Sequence, residues 1–125
     1  DLHGILNIKM KEFMNKVVLN ACFGGFSISL TAMKWLAENG RDEIKAIAEK
    51  YLRESPDNKF GYHCWDIQRH DPDLVRCVET LGYEANGGCA ELEVYELNGN
   101  RYRIDEYDGK EEVYEPKDEE YITIE

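Results

Sequence analysis

The sequence predicts an α+β domain: an N-terminal strand, three helices and a C-terminal antiparallel three-stranded meander, with the helices packed on the sheet. Three observations carry this. An apolar run, Val17-Val18-Leu19, ends at a glycine pair. Three helical periodicities with recognisable starts and stops lie between Ser29 and Gly82. Beyond Glu91 the period changes to two, punctuated by Asn98-Gly99 and Asp108-Gly109, both hairpin signals.

Each element has its own warrant. Lys16 to Cys22 is apolar on both alternating faces, as a covered strand must be, and Gly24-Gly25 ends it. Ser29 stands where an N-cap hydroxyl can accept from a free amide of the first turn. Leu30, Met33, Leu36 and Ala37 follow at helical spacing, and Asn39-Gly40 supplies a left-handed stop. A second helix from Asp42 to Leu52 buries Ile44, Ile47, Ala48 and Tyr51, with acids at its start and Arg53 near its end, matching the dipole. Phe60 to Arg69 gives no clear period. The third helix is the best marked: Asp71 as N-cap, Pro72 in the first helical position, an apolar face of Leu74, Val75, Val78 and Leu81, and Gly82 as the stop. In the meander, a two-residue Asp108-Gly109 turn sets Ile104 opposite Val113. A three-residue loop at Asn98 to Asn100 sets Val94 opposite Ile104, giving one apolar stripe across three strands. Arg103, Asp105, Tyr107 and Glu112 then face outward.

The chain of 125 residues suits one domain, read as residues 14–125. Residues 1–13 read as an extension or expression remnant ahead of Met14, and the closing PKDEEYITIE as a fraying end or an added edge strand. No apolar run approaches the roughly 20 residues of a membrane span, and no signal-peptide pattern opens the chain, which predicts a cytoplasmic protein with no membrane partner. Cys22, Cys64, Cys77 and Cys89 form no C-x-x-C pair, consistent with reduced thiols. The net charge is −11, and residues 91–125 hold 13 Asp and Glu against four Lys and Arg. That asymmetry argues against binding a nucleic-acid backbone and leaves a basic protein partner open, beside the plainer reading of a solvated acidic surface.

The candidate sites are few. Phe23, Gly24, Gly25 and Phe26 form a glycine loop between a strand and a helix start, where backbone amides can meet an anion and two rings can hold a base, or simply plug a turn. Neither G-x-x-x-x-G-K-[ST] nor G-x-G-x-x-G is present, and no Lys or Arg lies between Lys16 and Lys34. Arg69, just before a helix start, is the candidate anion contact, with an ion pair to the acidic sheet as its structural alternative. A metal set of His63, Cys64, His70 and Asp71 lacks the paired spacing of zinc sites, and no metal or other cofactor is expected. Nothing marks Cys64 or Cys77 as an activated nucleophile, and Asp105/Glu106 and Glu111/Glu112 read as solvated acids on exposed hairpins.

Four motifs in order, N-x-C-F-G-G-F-x-x-S at Asn20 to Ser29, R-x-D-P-D-L-V with V-E-x-L-G at Arg69 to Gly82, E-A-N-G at Glu84 to Gly87 and I-D-E-Y-D-G at Ile104 to Gly109, span Met14 to Pro116. This pattern resembles a family of small, uncharacterised proteins of bacteriophages and prophages. Pro116 to Glu125 departs from the basic, aromatic ending of that family. The resemblance implies phage context and action inside the host cell, and names no reaction. The reading is a non-enzymatic binding protein that sequesters a phosphorylated or nucleotide-like molecule to counter host defence, through Phe23, Gly24, Gly25, Phe26 and Arg69. A site at a subunit interface would make the chain a homo-oligomer. The alternative is an acidic inhibitor covering a basic surface on a host protein.

Overall fold

A computed structural model describes residues 15–116, so the expectations for residues 1–13 and for the closing stretch from residue 117 lie outside the described residues. The order is β1 (Lys16–Asn20), α1 (Leu30–Asn39), α2 (Asp42–Glu54), α3 (Pro72–Leu81), a 3-10 turn (Gly82–Ala85), β2 (Leu92–Glu96), β3 (Arg103–Tyr107) and β4 (Lys110–Tyr114). The protein is α+β, with one continuous core. Ile28, Met33, Leu36 and Leu74 are its largest fully buried apolar side chains.

The helices start as their sequences dictate. Ser29 Oγ accepts from the Ala32 amide at 3.0 Å, and Asp71 Oδ1 accepts from the Asp73 amide at 2.8 Å, with Pro72 in the first turn. Gly40 is a correction. Its φ is −74°, so it is no left-handed stop. A second helix begins at Asp42, and the chain must turn straight into it through extended backbone. Glycine serves there for room: a Cβ would lie 2.7 Å from the Leu36 carbonyl oxygen and 3.0 Å from the Ile44 side chain.

The three-stranded meander is also corrected. The strands form two antiparallel pairs, β1 with β2 and β3 with β4. Ile104 does face Val113, and Asp108 (φ 51°) and Gly109 (φ 89°) form the tight turn between them, both in the left-handed region that such hairpins require. Val94, however, pairs with Val18 of β1 and not with Ile104. An alternating strand advertises an apolar face without naming its partner. Val17 and Val18 offer β2 a fully buried neighbour, which the open β3 hairpin does not. The Asn98-Gly99 bend is held by Glu115 instead, whose Oε1 accepts from both amides, at 2.7 and 3.3 Å.

Phe60 to Arg69 is mostly turns. Its one regular contact matters: Tyr62 and Ile28 exchange two backbone hydrogen bonds of 2.8 Å. On the other side of Ile28, the Ser29 amide donates to Ala85 and the Gly87 amide to Ser27. Three loops are thereby laced around buried Ile28.

Candidate functional site

The lacing brings residues 22–29, 60–65 and 85–90 to one end of the molecule, beside the β3–β4 turn. At Gly24 the FGGF loop sits so close to its neighbours that a side chain has no room, whereas Gly25 faces open space and owes its glycine to a φ of 90°. A Cβ on Gly24 would lie 1.7 Å from the Cys89 carbonyl oxygen, and one on Gly109 would lie 2.5 Å from the Gly25 amide. The glycine pair therefore packs as a tight backbone crossing. Cys22 Sγ also donates to the Cys89 carbonyl, at 3.0 Å.

A buried polar network bolts this end to the strands. Asn20 is fully buried and fully used. Its Nδ2 donates to the carbonyls of Cys22 (2.7 Å) and Gly109 (2.8 Å), and its Oδ1 accepts from the Glu91 amide at 2.8 Å. Its own amide donates to Glu111 Oε1 at 2.8 Å. Glu111 in turn receives both terminal nitrogens of Arg69, at 2.7 and 2.8 Å. Arg69 Nη1 also reaches the Val18 carbonyl at 3.3 Å, and the guanidinium lies 3.5 Å over the Phe26 ring. The Arg69 and Glu111 side chains are only 19% and 8% exposed. A buried bidentate pair of this kind is costly to break, because removing one partner strands the other charge. Among the described residues, no buried side-chain nitrogen or oxygen lacks a partner.

The structure thus brings Phe26 and Arg69 together, inside the network rather than at its surface. Phe26 is buried, and the Arg69 fork is turned to Glu111, the ion pair to the acidic sheet. Phe23 is apart from them, 60% exposed, with Lys110 Nζ 5.5 Å from its ring centre. Glu111 corrects the expectation of a solvated acid. The alternation that turns Val113 inward turns Glu111 inward two residues earlier.

The residues of the HCWDIQRHD stretch disperse. His63 Nδ1 lies 2.8 Å from the Phe26 carbonyl, His70 Nδ1 lies 2.6 Å from the Tyr102 hydroxyl, and Asp71 caps α3 while Arg41 Nη2 donates to its Oδ2 at 2.7 Å. Among the described residues, no three His, Cys, Asp or Glu side chains converge as metal ligands. Burial pushes the thiols of Cys64 and Cys77 up to about 12, so neither supplies a thiolate near neutral pH.

Sequence reasoning passed over the rim of this end. Trp65 is 81% exposed and Phe60 85% exposed, on the loop that flanks FGGF. The Gly88 amide bonds the Phe60 carbonyl at 3.0 Å, and the Asn58 side chain accepts from the Phe60 amide at 3.1 Å, so the ring stands on an anchored backbone. The signal was the density of aromatics in FGYHCW, a stretch whose lack of a clear period left their exposure unread. No helix among the described residues is long and apolar enough to cross a membrane. No family model, curated protein or solved structure matches the chain.

Proposed function

We propose that the protein is a non-enzymatic binding protein that captures a small nucleotide-like molecule at its loop end. One observation carries this reading: Phe23, Phe60 and Trp65 stand exposed on loops whose backbones are locked together by close glycine contacts and hydrogen bonds. Large rings in water forgo about 1.5–3 kcal/mol each of burial. Rings held out by an anchored backbone are preorganised for contact, and preorganisation is what lowers the cost of binding. The resemblance to phage and prophage proteins supports a host-derived molecule and a role against host defence.

The guanidinium of Arg69 takes a supporting part in this reading. Its fork is paired with Glu111, so it fixes the loop through Phe26 while the exposed rings make the contact. Native mass spectrometry of protein purified from a bacterial lysate tests it. The expected result is an extra mass of a few hundred daltons that disappears on denaturation. A clean mass, together with no thermal stabilisation by pooled cellular metabolites, would contradict it.

A second reading, an acidic inhibitor of a basic host surface, draws on the β3–β4 hairpin. There Asp105 stands directly opposite Glu112, both exposed, with Arg103 Nε pairing Asp105 at 3.0 Å. Like charges across a ladder disfavour pairing, and a cationic partner would relieve that. Reversal of Asp105 and Glu112 to lysine should then abolish partner binding, and binding should weaken steeply with salt.

A further inference from the structure

We infer that His63 and Trp65 form the part of the site that reads a planar nitrogen heterocycle, a nucleobase, with the base rather than a phosphate as the recognised group. This rests on the binding reading above and names the moiety that is bound. The two rings are stacked, with centroids 5.7 Å apart and planes 14° from parallel. Both are exposed, while Cys64 between them is buried. Cys64 adopts a φ of 44°, a left-handed conformation that non-glycine residues seldom take. Strain of this kind persists where the surroundings impose it, and it gathers at ligand clamps. Here the surroundings are the core packing of Cys64 and the Ile67 amide on its carbonyl at 3.0 Å.

The histidine is also oriented. The Phe26 carbonyl can only accept, so His63 Nδ1, 2.8 Å away, carries the proton. In the neutral ring Nε2 is then a lone-pair acceptor. An exposed indole face beside a fixed acceptor suits a flat ring that bears an N–H on its edge. Adenine and guanine both qualify. Stacking supplies attraction to any base, and the acceptor selects an edge that donates. The net charge of −11 opposes a polyanionic strand, which confines the ligand to a mononucleotide or nucleoside.

Ligand-observed saturation-transfer NMR with adenosine, guanosine and inorganic phosphate tests this. The expected result is transfer to the base protons of at least one nucleoside, with a dissociation constant of about 1 mM or below. Trp65→Ala should abolish it, and Trp65→Phe, which keeps a ring, should retain it. His63→Phe, which keeps a ring and removes the acceptor, should weaken it up to tenfold. Phosphate should neither compete nor raise the melting temperature. Transfer that survives Trp65→Ala would overturn the assignment, as would stabilisation by phosphate alone. A captured small molecule in the native mass spectrum with no transfer from either nucleoside would overturn the base assignment and leave the binding reading standing. Absence of both would overturn both.

Discussion

Two regions of the molecule, the helix junction around Asp71 and the loop cluster around Arg69, are held by the same chemistry and finished differently. At the helix junction, Arg41 bridges Asp71 and Asp73 at 2.7 and 3.1 Å, and Arg76 pairs Asp73 at 2.8 Å, so the α1–α2 junction is tied to the start of α3. The cations there are about half exposed, and Trp35 is covered in part by Arg76, whose guanidinium lies 5.6 Å from the ring centre. At the loop end, one buried pair, Arg69 with Glu111, does the tying, and Phe23, Phe60 and Trp65 stay 60% exposed or more, although Lys110 approaches the Phe23 ring and His63 stacks on Trp65. Both regions are anchored, and Phe23, Phe60 and Trp65 stand clear of the core on the loop side, as Tyr83 does on the 3-10 turn and Tyr107 on the hairpin. Their exposure is therefore a property of the surface and not of a loosely packed region.

The comparison can be broken at several points, and the expected effects fall in order. Glu111→Ala should cost most, about 3–5 kcal/mol, because it strands the Arg69 charge and frees the Asn20 amide. Urea unfolding measures it directly. Raising pH should come next. Burial holds the Cys64 and Cys77 thiols up to about 12, against about 9 when unfolded. Between those values the unfolded chain loses protons that the folded chain keeps, so stability is full below about pH 9 and falls as pH climbs toward 12. The loss is on the order of 3 kcal/mol by pH 10 for the two thiols together. Cys77→Ala should flatten that slope, as melting curves across the range would record.

Asp71→Ala should cost about 1–2 kcal/mol, through the lost N-cap and one of the two ion pairs of Arg41, which keeps Asp73. The exposure of Arg41 keeps this below the Glu111 effect. Trp65→Ala should change stability least, within about 0.5 kcal/mol, since the ring touches little but His63. It should nevertheless remove binding. That last pair of results, stability kept and binding lost, would separate the two regions most sharply.

The helices were legible because their signals are local. Ser29, Asp71 and Pro72 act on amides two or three residues away, and the structure uses them so. The Asp108-Gly109 turn was legible for the same reason. Strand partners were not, because Val94 fits against Val18 or Ile104 equally well until β1 is seen to be buried. The Arg69 pairing lay half in view. An acidic sheet was the expected partner, yet Glu111 was grouped with Glu112 by adjacency when strand alternation separates them. Asn20 carried a quieter signal, a single amide closing an otherwise apolar strand, which a fully bonded buried side chain explains. The exposed rings at Phe60 and Trp65 could not be told from core rings by composition, since exposure depends on which way three glycine-bearing loops face.

The most direct test is a ¹H–¹⁵N correlation spectrum of the labelled protein, recorded with and without a deproteinised bacterial metabolite extract. The expected result is a set of shifted amides at Phe23 to Phe26, Phe60 to Trp65 and Gly87 to Cys89, with α2 unmoved. Shifts confined to the β3–β4 acids, or none at all, would contradict a binding surface at the loop end.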